Sequence, residues 1–210
     1  MDVATATDGQ TTAACWSCKG PVATGLLFCP TCGAIQPPGQ ADRFTRFGQP
    51  AGFDIDEAAL ETVYFDLQRK LHPDRFATAS PKERALSQSQ AIAVNEAYET
   101  LRDPLRRAAY LLTLKGRTAD VDRDATINDP ELLMESMEAR EALAEAATPE
   151  EAQAIARDTA AKMDDCKSAL SRAFSAGDLD EAGNLTTRLK YLAKLAGEAR
   201  ARRMKLAGRG

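Results

Sequence analysis

Residues 56–75 read DEAALETVYFDLQRKLHPDR, and the fold turns on how that stretch is parsed. Leu60, Val63, Tyr64, Leu67 and Leu71 fall at i, i+3, i+4, i+7 and i+11, which is one buried stripe of an α-helix that Asp56 can cap. Pro73 ends that helix, because proline lacks a backbone donor and pushes His72 away from helical dihedrals. Ser80-Pro81 then offers an N-cap and a first-turn proline to a second helix, whose stripe is Ala91, Val94, Tyr98 and Leu101. Two facing amphipathic helices joined by a short loop predict an antiparallel hairpin with His72-Pro73-Asp74 at its tip.

Working outward, residues 1–14 are small and polar and predict a disordered tail. A cysteine module spans 15–35, and Gln36-Pro37-Pro38-Gly39-Gln40 reads as a linker to the helical region at 41–115. An Asp- and Thr-rich connector is expected over 116–128. Three more helical segments fill 129–210, separated at Thr148-Pro149 and Gly177. No strand signal stands outside the cysteine module. The expected fold is therefore mainly α: the hairpin and a C-terminal three-helix bundle, preceded by a small metal knuckle.

The net charge of −4 argues against a nucleic-acid binder held mainly by phosphate contacts. Its distribution is uneven. Asp129, Glu131, Glu135, Glu138, Glu141, Glu145 and Glu150 face Arg140 alone, whereas the end of the chain carries Arg200, Arg202, Arg203, Lys205 and Arg209. These are either two solvated helix faces or a field that selects a partner. No apolar run has the length of a membrane span, and residues 1–14 carry no basic-plus-apolar leader pattern, so a cytoplasmic location is the default expectation.

Cys15-Trp16-Ser17-Cys18 and Cys29-Pro30-Thr31-Cys32 are two CxxC pairs separated by ten residues. In a reducing compartment such pairs point to metal rather than disulfide. Gly20 and Gly33, close behind, would allow the tight turns that aim backbone N–H groups at sulfur. Four thiolates make a closed tetrahedral site, so Zn²⁺ held by Cys15, Cys18, Cys29 and Cys32 would be structural. A redox dithiol, a disulfide pair and an iron–sulfur cluster are the alternatives for the same four sulfurs. Cys166 instead falls in the stripe Ile155, Thr159, Met163, Cys166, Leu170 and reads as a buried, inert thiol.

His72 is the only histidine, so histidine-based acid/base catalysis would have to use it. No nucleophile motif accompanies it, and Pro73 stiffens the loop. Its surroundings give another reading. Tyr64, Leu67, Arg69 and Lys70, then His72-Pro73-Asp74-Arg75, then Asn95-Glu96-Ala97-Tyr98-Glu99-Thr100-Leu101-Arg102-Asp103-Pro104 and Arg106-Arg107-Ala108-Ala109-Tyr110 closely resemble a J-domain. That resemblance implies that His72, Pro73, Asp74, Arg69, Lys70 and Arg75 dock on a DnaK-type chaperone and accelerate its ATP hydrolysis. The catalysis would be the partner's, and this chain would not be an enzyme.

Beyond Tyr110-Leu111-Leu112-Thr113-Leu114-Lys115-Gly116 the chain lacks the Gly/Phe-rich and β-rich parts of many J-proteins. With Leu132 to Leu143 and Arg188 to Leu195, its helical end resembles HscB/Jac-type co-chaperones of iron–sulfur cluster biogenesis. At 100° per residue, Leu132, Ser136, Ala139, Leu143 and Ala146 share one face, which puts Leu133, Met134 and Met137 on the other among carboxylates. Periodicity alone leaves open the opposite phase, with Leu133 and Met137 in the core. The resemblance implies that Leu133, Met134 and Met137 contact an IscU-type scaffold, with Glu138, Arg140, Glu141 and Glu145 as a charged rim. It also implies that the HscA-type chaperone receives that scaffold. Ala182, Leu185, Leu189, Leu192 and Ala196 form the last helix's stripe; Tyr191, off that stripe, matches a scaffold-contacting aromatic or merely covers the bundle edge. A four-cysteine extension resembles the metal-binding N-terminus of eukaryotic members. Two other readings remain: a general J-protein with other clients, and a CxxC thiol oxidoreductase.

Overall fold

The computed structural model describes residues 12–39, 41–117 and 130–208. Residues 1–11 of the tail expected over 1–14, Gln40, residues 118–129 of the connector region, Arg209 and Gly210 lie outside them, and Thr12–Ala14, expected in that tail, form a paired strand instead. The chain divides into two compact units, Met1–Ala51 with Ile55–Arg102, and Gly52–Asp54 with Asp103–Gly210.

The first unit opens with β1 (Thr12–Ala14) and β2 (Pro21–Ala23), antiparallel with Ala13 opposite Val22. Helix α1 (Arg43–Arg46) starts at Asp42, whose carboxylate accepts the N–H groups of Phe44 and Thr45 at 2.8 and 3.1 Å. Helix α2 (Glu57–Leu71) is capped by Asp56, which accepts the Ala59 N–H at 2.9 Å. A 3₁₀ turn, Pro73–Phe76, follows it. Helix α3 (Pro81–Arg102) begins in a reciprocal cap: Ser80 Oγ accepts the Glu83 N–H, and the Glu83 carboxylate accepts the Ser80 N–H at 3.0 Å.

Both expected stripes are borne out. Leu60, Leu67 and Leu71 of α2 are buried with Val63 and Tyr64 half-buried; in α3 Val94, Tyr98 and Leu101 are buried and Ala91 half-buried, with Ala97 buried beside the expected stripe. The antiparallel pair is closed by aromatic stacking, since the rings of Tyr64 and Tyr98 lie 3.9 Å apart.

The second unit holds α4 (Pro104–Leu114), α5 (Pro130–Glu145), α6 (Pro149–Ala176) and α7 (Leu179–Ala207). By its contacts α4 counts with this unit and packs on α7. Thr148 and Glu151 form a capping box at the start of α6, and Gly177 ends it with a φ of 73°, a left-handed conformation that glycine adopts without strain. The α5 stripe falls as phased from the sequence: Leu132, Ser136, Leu143 and Ala146 are buried and Ala139 is half-buried. Arg202 of α7 closes the C-terminal end of α5 by donating to the carbonyls of Ala144 and Ala146 at 3.0 and 2.7 Å. Cys166 is buried, its thiol donates to the Leu185 carbonyl at 3.4 Å, and burial pushes its pKa up, which makes it a poor nucleophile.

Among the described residues, no helix is long and apolar enough to cross a membrane.

Candidate functional site

Three groups of sequence-selected residues can be followed in the structure. His72 leaves α2 with φ −57° and ψ 134°, as the proline behind it requires. Its Nδ1 accepts the Asp74 N–H at 3.3 Å and lies 3.6 Å from the Asp74 carboxylate, so a neutral ring carries its proton on Nε2. The His72 and Asp74 side chains remain 60% and 91% exposed, on a tip whose backbone is pinned from behind. Ser87 of α3 donates to the Leu71 carbonyl at 2.9 Å, and Arg84 donates to that of Ala79 at 2.7 Å.

Arg69 and Lys70 stand on the last turn of α2, but they are not free bases. Asp66, one turn back, pairs with Lys70 at 2.7 Å and Arg69 at 3.2 Å. The Lys70 hydrogen bond, helped by Arg69, holds the Asp66 carboxyl below the usual carboxylate range. This orders the basic face while reducing its net charge. Phe65, which the sequence reading passed over, is 55% exposed and lines a shallow groove with Thr62, Gln68, Arg69, His72 and Arg75. A large aromatic off its own helix stripe was the signal available in the sequence.

In the second unit, Leu133, Met134 and Met137 are 44%, 62% and 62% exposed, so the phase that placed them in the core is excluded. Glu138, Glu141 and Glu145 are exposed beside them, whereas Arg140 is tied to Glu198 at 3.2 Å. Tyr191 is half-buried and lines, with Glu138, Leu132, Ala139 and Ile155, a cleft of about 470 Å³. Leu133, Met134 and Met137 do not line that cleft. The acidic face is also part of the bundle's scaffold, since Glu135 pairs with Arg188 at 2.5 Å and Lys162 at 3.1 Å.

The four cysteines of the knuckle converge. Cys15 and Cys32 Sγ are 3.8 Å apart, Cys18 and Cys29 Sγ 3.7 Å, and all four sulfurs lie within 4.8 Å of one another. Thiolates about 2.3 Å from one central ion form a tetrahedron with edges of about 3.8 Å, so the spacing fits a single ion. A polynuclear cluster, which divides the four thiolates among two or more irons, would spread the sulfurs further.

The donor set asks for a cation. Burial opposes ionisation of Cys15, but the N–H groups of Cys18 and Ser17 and the Gln36 amide outweigh it and bring its pKa down to about 6. The Gly20 N–H would lower Cys18 likewise, yet the neighbouring sulfurs and burial push it up to about 11, because a second thiolate so close is repelled. The two turns share one backbone design, with the Lys19 N–H on the Cys15 carbonyl and the Gly33 N–H on that of Cys29. The residues that turn left-handed are Lys19 and Gly33, at φ 65° and 73°. Gly20 serves the tight turn as expected, its N–H donating to Cys18 Sγ at 3.4 Å, and it is glycine because a Cβ there would meet Thr31 Oγ1 at 3.0 Å and Cys18 Sγ at 3.3 Å.

A braced hairpin presenting His-Pro-Asp at its tip, followed by helices alone, defines a J-type co-chaperone. The family profile described as the HSCB C-terminal oligomerisation domain matches residues 128–200. The iron–sulfur cluster co-chaperone protein HscB homolog of Arabidopsis thaliana is 38% identical over 180 residues, 85% of this chain and 70% of that one. The co-chaperone protein HscB homolog of Cupriavidus taiwanensis is 39% identical over 157 residues, 73% of this chain and 89% of its own. The crystal structure of human co-chaperone protein HscB superposes with a TM-score of 0.85 at 34% identity, over 92% of this chain and 100% of that one. The chain belongs to the HscB family of iron–sulfur cluster co-chaperones.

Proposed function

We propose that this protein stimulates the ATPase of a DnaK/HscA-type chaperone and delivers to it an IscU-type scaffold carrying the cluster to be transferred. His72, Pro73 and Asp74 engage the chaperone, and Arg69, Lys70 and Arg75 steer and orient the approach. Phe65 extends the same surface with an apolar anchor. The observation that carries this reading is the exposed tip: its backbone is fixed by Ser87 and by Pro73, so docking costs little ordering. The chain positions its partners and is not itself an enzyme.

Leu133, Met134, Met137 and Tyr191 bind the scaffold, within the charged rim of Glu138, Arg140, Glu141 and Glu145. Exposed methionines beside carboxylates suit a partner surface that is apolar with basic edges. One protein that holds chaperone and scaffold raises their effective concentration for each other.

Cys15, Cys18, Cys29 and Cys32 hold Zn²⁺, which cross-links a segment too small to fold on its own apolar core. Convergence of all four sulfurs supports this over a dithiol oxidoreductase. A four-cysteine metal set suits a reducing compartment such as the cytoplasm.

The test is the ATPase rate of a DnaK-type chaperone with this protein, with and without an IscU-type scaffold. His72→Gln should abolish stimulation and leave scaffold affinity intact. Undiminished stimulation by that variant would sink the mechanism.

A further inference from the structure

The cysteine knuckle is not a free appendage. Its apolar core is only Cys15, Val22 and Cys29, with Ala34 packed against them. The knuckle belongs to the same compact unit as α3, and two side chains reach from that helix to it. Trp16 Nε1 donates to the Ile35 carbonyl at 2.7 Å, and the Lys82 ammonium of α3 sits 4.0 Å from the Trp16 ring centroid.

Gln36 joins the two. Its side-chain amide donates to Cys15 Sγ at 3.3 Å and to the Ala34 carbonyl at 2.7 Å, while its backbone carbonyl accepts from Gln90 Nε2 at 2.9 Å. Gln90 is 1% exposed, and its Oε1 accepts from Arg46, which also donates to the Pro38 carbonyl at 2.9 Å. One turn earlier on the same face of α3, buried Ser87 holds the carbonyl of Leu71, the residue before His72. The stretch from Gln36 to Gly39, expected to be a linker, is therefore packed at its start and made part of the hairpin.

We propose that the metal centre and the chaperone-activating tip are coupled through Gln36, Gln90 and Ser87, so that an ion on the four cysteines steadies His72-Pro73-Asp74. The physical reason is that a four-thiolate knuckle opens when its ion leaves. Opening withdraws the Gln36 carbonyl, and a buried amide stripped of its acceptor is penalised more than the hydrogen bond itself is worth. The α3 turn carrying Gln90 and Ser87 then moves to rehydrate it, and the grip on Leu71 loosens. The coupling is reciprocal, so a change at Gln90 must weaken ion binding although it touches no cysteine. This inference rests on the proposed role of the tip, and it makes co-chaperone activity sensitive to metal supply.

The test compares full-length protein loaded with Zn²⁺ and stripped by a chelator, read by amide hydrogen exchange over residues 71–76. Stripping should speed exchange there about three- to tenfold. Competition with a chromophoric chelator should show Zn²⁺ affinity about three- to tenfold weaker in Gln90→Glu, which keeps the Arg46 contact and loses the donor to Gln36. Ser87→Ala should raise exchange at the tip and shrink its response to stripping. Equal exchange at 71–76 in loaded and stripped protein overturns the proposal, as does unaltered Zn²⁺ affinity in a folded Gln90→Glu. The wild-type comparison needs no variant, so a Gln90→Glu chain that misfolds does not shelter the idea. If loaded wild-type protein fails to stimulate a DnaK-type ATPase, the functional reading fails, whatever the exchange shows. If it stimulates while exchange ignores the metal, the coupling alone is wrong.

Discussion

Tyr64 and Tyr98 stack nearly parallel across the hairpin, and that contact sets the spacing between the helix that carries the basic face and the helix that braces the tip. Phe65 lies against the same Tyr64 ring at 5.4 Å, so an exposed aromatic rests on a half-buried one that buried Tyr98 backs in turn. Tyr98→Ala removes the backing. It should lower stability by about 3 kcal/mol, the usual result of deleting a packed aromatic. Thermal unfolding measures this, and a loss below about 1 kcal/mol would show that the stack is incidental.

Phe65→Gln should behave in the opposite way. The side chain is solvent-facing, so its loss should change stability by no more than about 0.5 kcal/mol. Half-maximal stimulation of the chaperone should then require about five- to thirtyfold more protein, as for a hot-spot aromatic worth about 1–2 kcal/mol. A titration curve unmoved by the substitution would remove Phe65 from the docking surface.

Leu133→Ala with Met137→Ala should weaken scaffold binding while leaving the melting temperature within about 2 °C, because both side chains are exposed. Leu143→Ala, on the buried stripe of the same helix, should instead cost about 2–5 kcal/mol. Calorimetric titration with an IscU-type protein, paired with thermal unfolding, separates the two faces. Equal destabilisation by both changes would mean that α5 is packed on both sides.

Asp42 gives a pH signature. Partial burial acts to raise its pKa, but the Thr45 hydroxyl and the N–H groups of Thr45 and Phe44 outweigh it and hold it below the ordinary 3.8. A carboxyl lowered by folding contributes stability above its unfolded pKa and loses it as pH falls through the folded value. Its contribution should therefore be whole at neutral pH, begin to fade near pH 4 and vanish below the lowered pKa. Asp42→Asn should flatten that part of the acid unfolding curve. A wild-type slope unchanged in the variant would assign the acid sensitivity to other carboxylates.

Glu135 joins α5 to both α6 and α7 through Lys162 and Arg188, and hydrogen bonds to Glu135 and Asp158 raise the Lys162 pKa. Glu135→Gln should make α5 the first helix to exchange its amides. In the wild-type protein, raising salt from 0.05 to about 0.5 M should move α5 the same way, because such pairs are screened. Exchange in α5 that ignores both changes would show that Leu132 and Leu143 alone hold the helix.

Where one periodicity governs, the sequence was readable. Leu132, Ser136, Leu143 and Ala146 share one face because a regular helix groups them there, although tertiary packing decided that this face is the buried one, and Pro73 stopped α2 for reasons local to its ring. The CxxC spacing likewise anticipated the convergence of four sulfurs. What escaped depends on contacts between segments far apart in the chain. Gln36 looked like linker because it is polar and precedes two prolines; only the tertiary fold reveals that Cys15 and Gln90 use both ends of it. Asp66 was not singled out in the sequence, and its hold on Arg69 and Lys70 depends on rotamers as well as on spacing. Nothing in the residue types marked Lys19 as the left-handed position of the first knuckle turn, because a lysine there carries no local signal of it.

That lysine has an evolutionary consequence. A side chain held at φ 65° is disfavoured by about 1–2 kcal/mol, and the twin position in the second knuckle shows that glycine meets the same need without strain. Lys19→Gly would relieve that strain but forfeit the donation from Lys19 Nζ to the Trp16 carbonyl at 3.3 Å and enlarge the freedom of the unfolded chain. Proteins generally rest just above the stability their work demands, and a lysine held left-handed at this turn is compatible with so narrow a margin.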